Sequence, residues 1–199
     1  MADSYVINEW FFSLQGEGVR AGTPNLFLRF SGCNQTCSLE SHGFDCDTEF
    51  VSGRKLTADE IIAELKQCAP ECEWVILTGG EPALQLDEYL ILKLKEAGYR
   101  LAIETNGSVE LPEGLDWITV SPKVAEHAIR QRTADEVKYV RGYGQAIPKT
   151  VVQAEHKLIS PAASGDSIDP KTLQWCIGLV QNNPEWRLSC QQHKFWSIR

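Results

Sequence analysis

Residues 32–50 read GCNQTCSLESHGFDCDTEF and carry three cysteines, Cys33, Cys37 and Cys46, separated by three and then eight residues. Cysteine thiolates are the usual ligands of iron–sulfur clusters and of closed zinc sites. Three thiolates leave one iron of a cubane cluster open to a small molecule, whereas zinc would need a fourth ligand such as His42. The spacing alone therefore leaves an iron–sulfur cluster, a zinc site and inert free thiols as hypotheses.

The composition narrows the class of protein. The chain has 199 residues and a formal net charge of -8, which argues against a surface that binds nucleic acid through its phosphates. No run of about eighteen apolar residues predicts a membrane span, and the first residues lack the apolar core of a signal peptide. The seven cysteines are an odd number without a secretory signal. We therefore expect metal-bound or free thiols in the reducing cytoplasm.

Strand and helix signals alternate along the chain, which favours an α/β fold with a parallel sheet. Short apolar runs predict the strands, and apolar residues at helical spacing between cap and stop signals predict the helices. A complete eight-unit barrel needs about 250 residues, so we expect one domain, residues 1–199, with a partial, open TIM-like barrel. The expected strands are 5–14, 25–30, 74–77, 100–104, 117–120, 136–140, 157–159 and 186–189, and the expected helices are 57–68, 86–97 and 170–180.

Polar motifs directly follow the predicted strands. Because the carboxyl ends of parallel strands meet at one edge of a sheet, we expect these motifs to form one site there. They are the cysteine loop, T-G-G-E-P at 78–82, E-T-N-G at 104–107, S-P-K at 121–123 and Q-Q-H-K at 191–194.

The cysteine loop followed by G-G-E-P resembles the radical S-adenosylmethionine family. Within it, the order of the motifs resembles the 7-carboxy-7-deazaguanine synthases, because L-Q-G-E-G, F-L-R-F-S-G-C and C-D-T precede T-G-G-E-P, E-T-N-G, V-S-P-K and Q-H-K. These motifs span residues 14–194. The resemblance implies an open barrel of the radical S-adenosylmethionine type, with the cluster loop at 32–50.

One departure concerns the cysteine spacing. The family's usual gaps are three residues and then two, so the second gap of eight contains an insertion of six, eight minus two. Cys46 is followed by Asp47 and Thr48, as the family's third cysteine is, and we take it as the third ligand. We interpret the other four cysteines as structural: Cys68, Cys72, Cys176 and Cys190.

The resemblance implies a [4Fe–4S] cluster on the three loop cysteines and S-adenosylmethionine at its open iron. The reduced cluster cleaves the sulfonium to a 5′-deoxyadenosyl radical, while the protein orients the cofactor. Glycine lets backbone approach closely, and a carboxylate can accept hydrogen bonds from a cationic amino group. The implied cofactor contacts are Gly80, Glu81, Asn106, Ser121, Pro122 and Lys123.

The implied substrate is 6-carboxy-5,6,7,8-tetrahydropterin. Arg29 lies inside an apolar strand, and its guanidinium suits bidentate carboxylate binding, although an outward-facing surface arginine is the plainer interpretation. His193 is either a substrate contact or an ordinary structural histidine. Thr48 is the candidate ligand for Mg²⁺, with Asp47 as its rival. The implied substrate contacts are Leu14, Gln15, Gly16, Arg29, Thr78 and His193.

The implied reaction is a radical ring contraction with loss of ammonia, which gives 7-carboxy-7-deazaguanine for deazapurine synthesis such as that of queuosine. The resemblance also implies an electron donor such as flavodoxin and a homodimer, without direct nucleic-acid contact. Residues 156–164 lack the Gln-Pro pair of many relatives, so no contact is assigned there. Two alternatives remain open, a radical S-adenosylmethionine activase and a zinc-binding interaction module that uses the three cysteines and His42.

Overall fold

The computed structural model describes residues 4–46, 48–165 and 167–199. Its helices are α1 Leu39–His42, α2 Ala58–Cys68, α3 Glu88–Glu96, α4 Pro170–Asn182 and α5 Gln192–Trp196. Its strands are β1 Tyr5–Leu14, β2 Pro24–Phe30, β3 Arg54–Leu56, β4 Trp74–Gly79, β5 Arg100–Thr105, β6 Trp117–Val120, β7 Thr133–Arg141, β8 Gln153–Pro161, β9 Ala163–Ser164, β10 Ser167–Ile168 and β11 Trp186–Leu188.

One sheet of nine strands forms the framework, in the order β11-β8-β7-β6-β5-β4-β2-β1-β3. The strands from β11 to β2 pair in parallel, so their carboxyl ends lie at the same edge. β11 and β3 form the two ends of the order, and the sheet is therefore an open barrel, as predicted. The strand β1 is antiparallel to both of its neighbours, β2 and β3, which the prediction of a parallel sheet did not include.

The helices begin at capping residues that are readable in the sequence. Thr57 starts α2 with a capping box, because its hydroxyl accepts from the backbone N–H of Glu60 at 3.3 Å and the Glu60 carboxylate accepts from the Thr57 N–H at 2.7 Å. Asp87 caps α3 through the Leu90 N–H at 2.9 Å. The helix predicted at 86–97 therefore starts at Glu88, after its cap.

Two apolar clusters hold the helices against the sheet. The first joins β1, β2, β4 and β5 to the inner faces of α2 and α3. The second joins β6, β7, β8 and β11 to α4. Cys176 is fully buried in the second cluster, as its structural interpretation requires. Burial of apolar surface is the main favourable term in folding, so these clusters fix the strand ends that carry the polar motifs.

The end of the chain crosses the opening of the barrel. Gln192 N donates to Gly16 O at 2.8 Å, and the N–H of Gly18 donates to Ser189 Oγ at 2.9 Å. The hydroxyl of Ser13 donates to the carbonyl oxygen of Arg199 at 2.7 Å. These contacts tie the segment after β11 to the end of β1 and the turn that follows it. Because β11 and β1 lie near opposite ends of the strand order, the two sides of the open sheet are joined.

Several elements differ from the sequence prediction. α1, β3 and α5 were not predicted, and α5 forms where a polar loop was expected at 191–194. The connections that follow β5, β6 and β7, all within the described residues, lack α-helices, so the sheet is more open than the alternation suggested. None of the described helices is long and apolar enough to cross a membrane.

The two faces of α3 provide a matched test of the first apolar cluster. Leu90 is 0% exposed and Leu92 is 55% exposed on the same helix. We expect Leu90→Ala to lower the free energy of unfolding by about 2–5 kcal/mol through lost burial and a residual cavity. Leu92→Ala should change it by less than about 0.5 kcal/mol. Urea unfolding of both variants measures the difference, and equal effects would contradict this packing.

Candidate functional site

A cavity of about 890 Å³ opens at the edge where the parallel strands end. Its walls come from the cysteine loop, the inner faces of β1 and β2, the ends of β4 to β8 and the C-terminal segment. All three predicted cluster cysteines, all six predicted substrate contacts and Thr48 line it. Of the predicted site residues, each of which the structure describes, only Glu81 and Pro122 are outside the lining.

Two thiols of the cysteine loop, those of Cys33 and Cys37, have perturbed pKa values. Burial raises the pKa of the Cys33 thiol, and the nearby Cys46 thiol adds to the effect. The pKa of Cys37 is raised for the same reasons, partly offset by Lys123. Among residues 4–46, 48–165 and 167–199, no three His, Cys, Asp or Glu side chains are preassembled for a metal ion. The donor set nevertheless fits a cluster, because cysteine thiols ionise when a metal binds them.

The inserted segment between Cys37 and Cys46 forms a closed loop. Cys46 N donates to Cys37 O at 3.4 Å, and the N–H of Leu39 donates to Asp45 Oδ1 at 2.8 Å. Between these contacts lies α1, whose first turn is capped by Ser38. The two ends of the inserted segment therefore lie side by side, and Cys46 stays close to the second cysteine, Cys37.

His42 is committed to other partners. Its Nε2 lies 3.0 Å from the carbonyl oxygen of Lys123, which can only accept, and its Nδ1 lies 2.7 Å from the hydroxyl of Ser41. The backbone carbonyl of His42 also accepts from Gln145 Nε2 at 3.3 Å. Both ring nitrogens are thus used within the protein. This geometry disfavours the zinc hypothesis, which needed His42 as the fourth ligand.

Gly80 brings the turn after β4 against the cysteine loop. Its N–H donates to Phe30 O at 3.0 Å, and the next N–H, that of Glu81, donates to Gly32 O at 2.9 Å. A methyl group at Gly80 would collide with the carbonyl of Gly32 and would crowd Cys33. Glycine is required there for close approach of the two loops.

The carboxylate of Glu81 is 0% exposed and bound by the protein itself. Its Oε1 accepts from the Ala83 N–H at 3.0 Å and from the Thr105 hydroxyl at 2.7 Å, and its Oε2 accepts from the Asn106 N–H at 2.6 Å. Burial raises its pKa, although these hydrogen bonds oppose the shift. These three bonds use three of the roughly four acceptor positions of a carboxylate, so its contact with a bound amino group stays a prediction. Glu81 positions the loop after β5.

The other predicted cofactor contacts are positioned by their neighbours. Asn106 Nδ2 donates to Asn34 Oδ1 at 3.0 Å, which joins E-T-N-G to the cysteine loop. Lys123 Nζ donates to the hydroxyl of Ser121 at 2.8 Å. Burial and the positive charge of Lys138 lower the pKa of Lys123 to about 8. Pro122 lies between two lining residues, Ser121 and Lys123, and its contact with a ligand stays a prediction.

Arg29 faces the cavity, so its interpretation as an outward-facing surface arginine is wrong. It pairs with Thr78 in the parallel register of β2 and β4, which places both predicted substrate contacts side by side. Its Nε lies 3.2 Å from Glu9 Oε1, on the neighbouring strand β1. A guanidinium and a hydroxyl are therefore available on one wall of the cavity.

His193 lies directly against the turn that carries Gln15 and Gly16. A side chain at Gly16 would collide with the His193 ring, so glycine permits this contact. Gln15 Nε2 donates to Glu104 Oε1 at 3.2 Å across the cavity. The structure thus brings three predicted substrate contacts together from residues far apart in the sequence.

Lys138 was missed by the sequence analysis. Its ammonium lies 2.6 Å from Glu17 Oε2 and 3.3 Å from Glu104 Oε2, at the cavity wall. Burial opposes the charged form of Lys138, but the two carboxylates outweigh it and raise the pKa. Burial likewise opposes ionisation of Glu17, yet Lys138 and a hydrogen bond from Gln191 lower its pKa to about 2. A lysine inside the strand D-E-V-K-Y-V was the available signal, of the same kind as Arg29.

The sequence offers two candidate ligands for Mg²⁺, Thr48 and Asp47. Thr48 lines the cavity, and its carbonyl oxygen lies 3.7 Å from the thiol of Cys46. A hydroxyl at this position can serve as one oxygen ligand of a hydrated Mg²⁺. Asp47 lies outside the described residues.

Known proteins resemble this chain in both sequence and fold. The model of the Radical SAM superfamily matches residues 28–142. A 7-carboxy-7-deazaguanine synthase of Bacteroides thetaiotaomicron is 44% identical, over 97% of this chain and 98% of the relative. One of Bradyrhizobium diazoefficiens is 38% identical, over 98% of this chain and 100% of the relative.

The fold is also similar to the crystal structure of QueE from Escherichia coli, with a TM-score of 0.69 over 96% of this chain and 95% of that one. At 24% sequence identity this likeness supports the fold alone. The two sequence relatives match over nearly the whole of both chains, at 44% and 38% identity. They therefore show the family as well as the fold. The chain therefore belongs to the radical S-adenosylmethionine superfamily and, within it, to the family of the 7-carboxy-7-deazaguanine synthases.

Proposed function

We propose that the chain converts 6-carboxy-5,6,7,8-tetrahydropterin into 7-carboxy-7-deazaguanine by ring contraction with loss of ammonia. The observation that carries this proposal is a single cavity that holds three cluster-type thiols and an inward-facing arginine. A radical enzyme of this type needs the thiols to hold its cluster, and a substrate with a carboxylate needs the arginine as its counter-charge. The product serves deazapurine synthesis, such as that of queuosine.

Three thiols and four neighbouring groups would hold the cofactors. Cys33, Cys37 and Cys46 would bind the [4Fe–4S] cluster, and S-adenosylmethionine would lie against Gly80, between it and the loops that carry Asn106, Ser121 and Lys123. When bound, these cofactors supply a 5′-deoxyadenosyl radical that takes a hydrogen atom from the substrate. The residues themselves orient the cofactor and exclude water, since the loops that carry them are hydrogen-bonded together.

The substrate would lie between the cluster loop and the C-terminal segment. Arg29 would bind its carboxylate, and Thr78 would contact it from the neighbouring strand. Leu14, Gln15, Gly16 and His193 would enclose the ring from the opposite side. Thr48 would supply one oxygen to Mg²⁺, and the substrate carboxylate and water would complete the octahedron.

The same proposal extends to the protein's context. We infer a single domain over residues 1–199 with the cluster loop at 32–50, a cytoplasmic location and assembly as a homodimer. A one-electron donor such as flavodoxin would reduce the cluster. The net charge of -8 agrees with an enzyme that acts on a small molecule and does not contact nucleic acid.

The two alternative functions fit the geometry less well. An activase must admit a protein loop, but the C-terminal segment crosses the cavity mouth through the contacts of Ser13 and Gly16. A zinc module would need His42, whose ring nitrogens already have partners. An anaerobically purified iron–sulfur protein is brown, whereas a zinc protein is colourless.

Anaerobic turnover tests the proposed function. The purified protein is incubated with S-adenosylmethionine, a reductant, Mg²⁺ and the carboxytetrahydropterin, and the products are separated by chromatography and mass spectrometry. We expect 7-carboxy-7-deazaguanine, with S-adenosylmethionine regenerated in each turnover. Consumption of S-adenosylmethionine without a deazaguanine acid would favour the activase, and a colourless zinc-loaded protein would favour the binding module.

The choice of cluster ligands predicts a pattern of iron content. Cys33→Ala, Cys37→Ala and Cys46→Ala should each abolish cluster binding, because each thiolate holds one iron. Cys68→Ala and Cys72→Ala are the matched controls and should retain about four irons per chain. Iron and sulfide analysis with the visible spectrum measures this. Retention of the cluster in Cys46→Ala with loss in Cys72→Ala would overturn the ligand choice.

The Thr48 hydroxyl predicts a dependence on magnesium. A neutral hydroxyl is a weak Mg²⁺ ligand, so the metal should bind well only when the substrate carboxylate adds charge. Thr48→Ala should weaken the response of turnover to Mg²⁺ by about tenfold or more, while cleavage of S-adenosylmethionine without substrate stays near normal. Turnover is measured against Mg²⁺ concentration, with the exposed Thr133→Ala as control. Full stimulation of Thr48→Ala would direct attention to Asp47.

A further inference from the structure

The inserted segment between Cys37 and Cys46 contacts one lysine at two places. His42 Nε2 lies 3.0 Å from the carbonyl oxygen of Lys123, and the Lys123 ammonium nitrogen lies 5.4 Å from the centroid of the Phe44 ring. The second distance is within the range of a cation–π contact. Phe44 and Lys123 both line the cavity. The insertion therefore contacts the backbone and the side chain of the same residue.

The insertion is itself supported on its far side. Gln145 Nε2 donates to the carbonyl oxygen of His42 at 3.3 Å, and a side chain at Gly43 would collide with the Gln145 amide. The hydroxyl of Ser41 lies 2.7 Å from His42 Nδ1. The connection after β7 and the short helix α1 thus fix the position of His42. Its ring can therefore hold the turn that carries Lys123.

The ammonium group of Lys123 has neutral partners. Its Nζ donates to the carbonyl oxygen of Ser121 at 3.1 Å and to the hydroxyl of the same residue at 2.8 Å. The other buried ammonium of the cavity, that of Lys138, is paired with Glu17 and Glu104. Among the residues that the structure describes, no carboxylate forms an ion pair with Lys123. Its positive charge is therefore uncompensated on the cofactor side of the cavity.

This charge lies close to the cluster cysteines. Phe44, whose ring faces the ammonium, precedes Cys46 by two residues, and Cys46 N donates to Cys37 O at 3.4 Å. Both of these thiols line the same cavity as Lys123. Burial raises the pKa of the Cys37 thiol, and the positive charge of Lys123 opposes that shift. The ammonium thus acts electrostatically at a position where the cluster would be bound.

A positive charge beside an iron–sulfur cluster changes how readily the cluster accepts an electron. Reduction adds one negative charge to a site that already contains three thiolates. A nearby cation stabilises the reduced form more than the oxidised form, so it raises the reduction potential. Local charge, hydrogen bonding and solvent exposure are the means by which proteins set these potentials. The interaction is stronger where burial lowers the effective dielectric constant.

We propose that the ammonium group of Lys123 raises the reduction potential of the cluster and that His42 of the insertion is the positioning residue that holds it there. This inference rests on the cluster ligands of the proposed function. One electron passes from the one-electron donor to the cluster, and no covalent bond forms or breaks at Lys123. The charge of Lys123 would make the reduced cluster, which cleaves S-adenosylmethionine, easier to reach.

Anaerobic redox titration of the cluster-loaded protein tests the role of the charge. Dithionite and redox mediators set the potential, and electron paramagnetic resonance measures the reduced cluster. S-adenosylmethionine is left out, so a contact between Lys123 and the cofactor plays no part. At a fixed potential, Lys123→Met should lower the ratio of reduced to oxidised cluster about fivefold, which corresponds to about 40 mV for one electron.

Two control variants separate charge from shape. Lys123→Arg keeps the positive charge and should stay within about twofold of the wild-type ratio. Lys55→Met, at an exposed lysine of β3, is the matched control for loss of a lysine and should leave the ratio unchanged. Iron and sulfide analysis verifies that each variant carries the same cluster before it is titrated.

The role of His42 is tested with the lysine in place. His42→Ala removes the contact with the Lys123 carbonyl and should lower the same ratio by about twofold or more. His42→Gln keeps an N–H donor and should restore the wild-type ratio. In the Lys123→Met background, His42→Ala should have almost no further effect, because the charge that it positions is gone. An undiminished effect in that background would overturn the positioning role. The His42 pair also tests the proposal if Lys123→Met fails to retain its cluster.

The outcomes separate this inference from the proposed function. If the wild-type protein carries the cluster and forms the deazaguanine acid but Lys123→Met titrates as Lys55→Met does, the inference fails and the function stands. An equal shift in Lys123→Met and Lys123→Arg would mean that the shape of the side chain matters and its charge does not, which also overturns the inference. If the wild-type protein binds no cluster, the proposed function itself fails.

Discussion

The buried ammonium group of Lys138 is the interaction on which the shape of the cavity depends. It connects three parts of the chain, because Lys138 lies on β7, Glu104 on β5 and Glu17 in the turn after β1. Gln191 adds the C-terminal segment through its hydrogen bond to Glu17 at 3.0 Å. Removal of Lys138 would leave both carboxylates without their counter-charge, and breaking a buried pair in this way costs about 3–5 kcal/mol. In a closed barrel, hydrogen bonds between the first and last strands would hold the walls together. In this open sheet, the ion pairs of Lys138 hold them in one arrangement.

Glu81 has an equivalent role on the cofactor side. Its carboxylate gathers the N–H groups of Ala83 and Asn106 with the hydroxyl of Thr105, so the turns after β4 and β5 are fixed relative to each other. Gly80 then fixes the first of these turns against the cysteine loop. A charged residue of a binding motif can thus fix the relative positions of the loops that line the cavity.

Much of the fold and of the site could be predicted from local signals in the sequence. The family and its cofactors followed from motifs whose order is unambiguous, and the comparisons confirm them. The direction of β1 was missed, although residues 15–23 are too few for the crossover that parallel strands require. Lys138 could not be assigned a role, because its partners lie 121 and 34 residues away in the sequence. The three hydrogen-bond partners of Glu81 could not be predicted either, because a motif does not state which way a side chain points.

The unusual cysteine spacing has a local physical explanation. A cluster requires the second and third thiolates to be near each other in space, which constrains the two ends of the inserted segment and nothing between them. The hydrogen bond from Cys46 N to Cys37 O closes those ends, so the extra residues leave Cys46 beside Cys37. The capped turn α1 uses the added backbone groups within the insertion itself.

The insertion also gains an attachment that a short cluster loop would lack. His42 binds the carbonyl of Lys123, and Gln145 binds the carbonyl of His42. These contacts tie the cluster loop to the turn after β6, which carries Ser121 and Lys123, and to the connection after β7. A six-residue insertion of this kind can therefore be tolerated because its ends meet and its middle packs against the loops that form the cofactor side of the cavity.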